Sequence, residues 1–107
     1  MKFYKLCVYI PETHLDQVKT AIFEADAGKY ENDDSCCWQI KGIGQFRPLK
    51  GNNAFIGKTG KIEEVVEFRV ETIVSEENLA KVTEAVYNSH PYETPAFDFT
   101  EIIIPNI

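Results

Sequence analysis

Apolar positions along the chain follow two periods, about two residues and about 3.6 residues, and each change of period marks a predicted element. Residues 2–10 alternate from one side chain to the next as a strand does, and Pro11 ends that run. Residues 12–27 place apolar side chains at helical spacing, with Thr13 as the expected cap and Gly28 as the stop. The first quarter therefore predicts a strand followed by an amphipathic helix.

The middle of the chain predicts short strands and glycine turns. Residues 35–41 alternate and predict a second strand, and residues 44–48 predict a short third one. The glycines of Gly42-Ile43-Gly44 predict a tight turn between them. Residues 51–60 are rich in glycine and asparagine, so they predict an irregular loop.

The second half repeats the order of strand, helix and strand. Residues 65–74 predict a strand, and Ser75 with two following acids predicts a helix that continues to about Ser89. Pro91 and Pro95 each fix a backbone angle and push the preceding residue out of the helical region. The helix must therefore end at His90, and residues 96–104 predict the last strand.

This order predicts one α+β domain over residues 1–107, a ferredoxin-like βαββαβ sandwich whose antiparallel sheet carries both helices on one face. The length allows a single core. Two helices cover only one face, so apolar side chains on the other face imply a partner surface, most simply a second copy. The candidates for that face are Phe3, Cys7, Tyr9, Arg69, Ile73, Phe97 and Phe99.

Charge and composition narrow the partners. The 17 acidic and 11 basic residues give a net charge of -6, which opposes nucleic-acid binding. No apolar run approaches the roughly 20 residues that span a bilayer, and the N-terminus lacks a signal-peptide core, so we predict a cytoplasmic protein with no membrane partner. Cys7, Cys36 and Cys37 are typical of small buried side chains in a reducing compartment, with a vicinal thiol pair for soft metals as the alternative.

One segment imitates a phosphate-binding loop. The run from Asn52 to Thr59 ends in Gly57-Lys58-Thr59, but the motif requires glycine where Asn52 stands, and Gly60 opposes the helix that should follow. A structural glycine loop is the favoured interpretation. A backbone anion nest is the alternative, so Gly57 and Lys58 are ligand-binding candidates.

The turn bounded by prolines holds the other candidates, His90, Tyr92 and Glu93. A structural role is the favoured interpretation, in which His90 caps the helix end and Glu93 accepts backbone hydrogen bonds in the turn. We predict no catalytic residue and no cofactor, and a divalent metal stays an open alternative. His90 is the one candidate metal ligand, and a symmetric trimer could gather three copies of it.

Several motifs together resemble a known domain. Gly42-Ile43-Gly44-Gln45-Phe46-Arg47-Pro48, His90-Pro91-Tyr92-Glu93 and Pro95-Ala96-Phe97-Asp98 are similar to the inserted domain of the Nif-three-like (NGG-one-interacting-factor) family. The resemblance covers nearly the whole chain, as if that domain stood alone, and implies a CutA/PII-like fold that is commonly trimeric. The family's dinuclear metal site lies in the flanking domain, so no hydrolase activity is carried over.

We therefore expect a non-catalytic domain that forms a homo-oligomer, with a trimer favoured, and that has a regulatory or small-ligand-binding role between subunits. The first alternative is a module that binds another protein. The second is a divalent-metal or metabolite sensor similar to CutA and PII proteins, and an enzyme comes third.

Overall fold

The computed structural model describes residues 1–51 and 56–105, and within them four strands and two helices follow one another. A short 3₁₀ turn leads into each helix, Glu12–His14 into the first and Glu76–Asn78 into the second. The elements in chain order are β1 (Phe3–Pro11), α1 (Leu15–Glu24), β2 (Cys37–Phe46), β3 (Glu63–Ser75), α2 (Leu79–Ser89) and β4 (Phe97–Ile102).

The strands form one sheet in the order β2-β3-β1-β4, and every neighbouring pair is antiparallel. Helix α1 connects β1 to β2 across β3, and α2 connects β3 to β4 across β1. These two interleaved crossovers are the split βαβ units of a ferredoxin-like sandwich. The predicted α+β fold is confirmed.

The core lies between the helices and one face of the sheet. Leu6, Val8 and Ile10 alternate along β1 and are fully buried, and Val70 lies opposite Val8 on β3. Each helix contributes a stripe, since Val18 and Ile22 of α1 are also fully buried. The same holds on α2 for Val82 and Val86.

The predicted turn at Gly42 is wrong. Residues Cys37–Phe46 form one continuous strand that pairs with β3 from Cys37 opposite Thr72 to Phe46 opposite Glu63. A Cβ atom at Gly44 would collide with the carboxylate of Glu67, whereas a Cβ atom at Gly42 would meet nothing within 4 Å. At Gly44 the glycine therefore makes room for a neighbouring side chain within a strand, where the sequence suggested a change of direction.

The first helix ends earlier than predicted and begins differently. It stops at Glu24 rather than near Ala27, and Thr13 is not its cap, because Thr13 lies in the preceding 3₁₀ turn. The Thr13 hydroxyl instead lies 2.8 Å from Nδ1 of His14. Gly28 follows in a left-handed conformation, φ 79°, where a Cβ atom would lie 2.8 Å from the Cys36 nitrogen.

The sheet register settles which side chains face away from the helices. Side chains directly opposite one another across a pair share a face, so Trp38, Glu71 and Cys7 lie together on the uncovered face. Phe3, Tyr9, Arg69 and Ile73 are confirmed on that face by the same register.

Two of the proposed members of the uncovered face are wrong. Phe97 pairs with Val8 and Phe99 pairs with Leu6, whose side chains point to the helices. The Phe97 ring meets the Tyr87 ring of α2 edge to face, with centroids 5.3 Å apart. The register of β4 therefore turns this strand's aromatic side chains into the core.

The hairpin of β2 and β3 projects beyond the rest of the sheet. Strand β1 ends at Pro11 opposite Glu67, while β2 and β3 stay paired as far as Phe46 and Glu63. The described residues accordingly span 51 × 24 × 22 Å. Among them, neither helix is long and apolar enough to cross a membrane.

Candidate functional site

The turn bounded by prolines lies where α2 meets the end of β1. The His90 N–H donates the last helical hydrogen bond to the Val86 carbonyl at 2.9 Å, and His90 then turns extended at φ -78° and ψ 138°. That extended conformation is what Pro91 requires of the residue before it. The helix ends where the prolines predicted.

The buried imidazole of His90 has a different partner on each nitrogen. Nε2 donates to the Tyr9 carbonyl oxygen at 2.8 Å, and Nδ1 accepts from the Tyr92 N–H at 3.1 Å. Since one partner is an acceptor and the other a donor, the neutral ring protonated on Nε2 satisfies both. Burial lowers the pKa of His90, and the bond to Tyr9 only partly offsets this. Metal ligation by either nitrogen would have to break one of these bonds.

Tyr92 links the turn to the base of the projecting hairpin. Its hydroxyl donates to Oε2 of Glu67 on β3 at 3.2 Å, and its ring packs beside Phe46 with centroids 6.1 Å apart. Burial, followed by the nearby Glu67 charge, raises the pKa of Tyr92 to about 12. Burial also raises the pKa of Glu67, against the effect of the Tyr92 hydrogen bond. His90, Tyr92 and Glu67 therefore form one linked group.

Gly57 and Lys58 lie at the far end of the hairpin. Gly57 has φ 94° and approaches Glu63, four residues before Glu67 on β3. Lys58 is exposed, and its carbonyl accepts from the Lys61 N–H at 3.1 Å. The chain forms a turn after Lys58, so the helix of a phosphate-binding loop does not follow it. Asn52 of that motif lies outside the described residues.

The remaining candidate, Glu93, is exposed on the turn. The sequence grouped it with His90 and Tyr92, but the half-buried carboxylate that Tyr92 contacts is that of Glu67. No spacing along the chain signals this, because Glu67 and Tyr92 are 25 residues apart and meet only through the order of the strands.

An open groove of about 490 Å³ lies on the uncovered face, at the end of the sheet opposite the connection between β2 and β3. Its floor carries Lys5 paired to Glu71 at 3.5 Å, and Arg69 pairs to the same carboxylate at 3.0 Å. Apolar and aromatic side chains form its walls. They include Tyr30, Trp38, Ile73 and Ile102.

Trp38 and its neighbour on the same face leave a large apolar area in contact with solvent. Trp38 is 57% exposed and Ile40 is 52% exposed. Their alternation was visible in the sequence, but their exposure was not, because it depends on which face the helices cover. Sequence reasoning therefore missed Trp38 as a candidate site residue.

The described residues contain no group of three or more His, Cys, Asp or Glu side chains placed to hold a metal ion. The three thiols are free: Cys7 is buried, Cys36 half-buried and Cys37 exposed. The prediction that the cysteines are small buried side chains is confirmed for Cys7 and is wrong for Cys37.

Comparison with curated proteins places the chain within larger relatives. No protein-family model matches it. It is 50% identical over 95 residues to a protein of Halalkalibacterium halodurans called GTP cyclohydrolase 1 type 2 homolog, an alignment that covers 89% of the chain and 26% of that protein. A Bacillus subtilis protein of the same name is 40% identical over 94 residues, covering 88% of the chain and 25% of that protein. The chain thus spans about a quarter of the length of these relatives.

Solved structures give the same picture. A Bacillus cereus protein related to NIF3 superposes with a TM-score of 0.81 at 34% identity, over 94% of the chain and 26% of that protein. The periplasmic divalent cation tolerance protein CutA of Archaeoglobus fulgidus superposes with a TM-score of 0.63 at 20% identity, over 97% of the chain and 85% of CutA. At that identity the likeness to CutA shows the fold alone. Together they confirm the resemblance found in the motifs.

Proposed function

Because the chain is homologous to the CutA/PII-like segment of the NIF3-related proteins, we propose that it is an assembly domain whose uncovered sheet face contacts other copies, with a homotrimer favoured. The observation that carries the proposal is the exposure of Trp38 and Ile40, at 57% and 52%, on the face opposite the helices. Covering apolar surface contributes about 25 cal/mol per Å², so a partner on this face is favoured.

The edges of the sheet support the same proposal. Strands β2 and β4 are the outer strands, and each has one side without a neighbour within the described residues. Open edges offer backbone donors and acceptors to another chain. A subunit interface would cover both the apolar face and an open edge.

The groove at Trp38 and Lys5 is the place where a small ligand would bind between subunits. Aromatic rings stack on planar ligands, and an ammonium group attracts an anionic one. We assign no reaction to this segment. The name of the relatives refers to a cyclohydrolase, but the chain matches only about a quarter of their length.

Molar mass in solution tests the assembly. Light scattering of the 12.2 kDa chain over a range of concentrations should give three times that mass. Replacing Trp38 and Ile40 together by Ser should yield monomer, because it removes the apolar area from the uncovered face.

Tyr87→Ser is the matched control, since Tyr87 is 56% exposed but lies on α2. It should leave the mass unchanged. A wild-type chain that stays monomeric at all concentrations contradicts the proposal.

A second candidate, a metabolite or divalent-metal sensor, is supported by the same groove. Titration calorimetry with divalent cations and with nucleotides tests it. Nucleotide binding that is lost in Lys5→Gln indicates the groove as its site, whereas binding of either ligand that is lost in His90→Ala but retained in His14→Ala indicates the turn. No heat from either class of ligand contradicts the sensor.

A further inference from the structure

Charge is divided unevenly along this chain. Residues 47–61 contain four basic residues and no acidic one. The remainder of the chain contains the other seven basic residues and all 17 acidic residues, which give it a net charge of -10. We call the four side chains Arg47, Lys50, Lys58 and Lys61 the basic tip.

The basic tip lies at the projecting end of the β2–β3 hairpin, beyond the point where β1 stops. A hydrogen bond of 2.7 Å from the Gly60 N–H to the Pro48 carbonyl joins the two sides of the segment. All four basic side chains are exposed. The four exposed side chains therefore lie on a segment whose two sides are joined at its base.

Within the described residues, the basic tip differs from most of the other cations, which pair with a carboxylate of this chain. Six of the seven basic residues elsewhere each pair with a carboxylate of this chain, for example Lys2 with Glu101 at 3.8 Å and Lys81 with Asp26 at 2.6 Å. In the part of the chain that the structure describes, none of the four tip residues forms an ion pair. Four neighbouring charges of one sign repel one another, so an acidic partner surface is favourable.

Apolar side chains beside the tip favour a protein surface over a simple polyanion. Leu49 and Ile62 are 61% and 63% exposed, next to Lys50 and Lys61. Phosphate backbones attract cations but leave such side chains in water. A second copy of this chain offers both the opposite charge and apolar exposed residues.

We propose that the basic tip of one copy docks onto the acidic body of a second copy. This inference rests on the proposed assembly and specifies its contact. The tip of one chain meets a different surface of the next chain, so the contact is heterologous, and such contacts form a ring when the rotation between copies closes. Such a contact is compatible with the favoured trimer.

Sedimentation velocity at low and high salt tests the inference. Replacing Arg47, Lys50, Lys58 and Lys61 together by Gln should weaken association at low salt at least about tenfold and should remove most of its dependence on salt. The matched control replaces Lys2, Lys19, Lys41 and Lys81 by Gln, which changes the net charge equally. That control should associate at least as tightly as the wild type, because it leaves the acidic body more negative.

The outcomes separate the two proposals. A monomeric wild type overturns the assembly itself. A wild type that associates, together with a tip variant that behaves as the control does, overturns the docking of the tip alone. If the tip variant loses heparin binding while its association is unchanged, the tip binds a polyanion. That result also overturns the docking of the tip onto a second copy. Circular dichroism spectra confirm that both variants are folded.

Discussion

At the scale of single residues, the burial of the His90 ring sets how stability responds to acid, against the opposing effect of its bond to the Tyr9 carbonyl. Its pKa in the folded chain lies below the ordinary 6.5, because the ring is buried. As pH falls below about 6.5, the unfolded chain takes up the proton before the folded chain does. The free energy of unfolding therefore decreases until the pH has passed the lower pKa of the folded chain. The His90 contribution to this slope is at most about 1.4 kcal/mol per pH unit, the value for one proton.

Urea denaturation between pH 7 and 5 measures this slope. His90→Gln should be less stable than the wild type at pH 7 by about 1–3 kcal/mol, because buried partners lose their bonds, and its slope should be flatter. His14→Gln, which removes the other imidazole of the chain, should keep the steep slope. Equal slopes in the wild type and His90→Gln would contradict the assignment.

The same group shows what could be predicted at this scale. The prolines predicted where the helix ends, because their effect on the backbone is local. The sequence predicts a structural role for His90 at the helix end, but it does not predict which residues its ring contacts. Tyr9 and Glu67 reach the turn through strand pairing, which no local pattern contains.

At the scale of the elements, β2 contains two glycines with different roles. Gly42 has open space where a Cβ atom would lie, and Gly44 lies against the Glu67 carboxylate. Gly42→Ala should therefore stabilise the chain by about 0.5–1 kcal/mol, because it restricts the unfolded backbone at no steric cost.

Gly44→Ala is the matched comparison. It should destabilise the chain by about 1 kcal/mol or more, because Glu67 must move and its bond from Tyr92 is strained or lost. Urea denaturation of dilute protein measures both changes. Shifts of stability in the same direction in the two variants would contradict the different roles of Gly42 and Gly44. So would a destabilisation by Gly44→Ala that is equally large in a chain that already carries Tyr92→Phe.

These glycines also explain the error in the sequence interpretation of β2. Gly-x-Gly is typical of turns, and the alternating runs on either side of it each have the length of a separate short strand. The order and type of the elements were predictable from periodicity. The length of β2 was not, since it depends on β3 supplying a partner over ten residue pairs. Phe97 and Phe99 were misplaced for the same reason, because register alone decides their face.

At the scale of the whole molecule, Trp38 reports on the uncovered face because it is the only tryptophan in the chain. It is 57% exposed in the single chain. If that face becomes an interface, its fluorescence should shift to shorter wavelength as protein concentration rises. The Tm should rise as well, since association of the folded state stabilises it by mass action. Both changes should follow the same concentration range as the molar mass.

The tip variant adds a decisive comparison. Its weakened association should move the Trp38 shift to higher concentration without changing the emission of either end state, because Arg47, Lys50, Lys58 and Lys61 lie in the segment that joins β2 to β3, far along β2 from the Trp38 groove. A molar mass that rises while the emission stays constant would place the interface away from the uncovered face. In that case the exposed indole would belong to a ligand site or to a contact with a different protein, and the edge strands would be the next surfaces to vary.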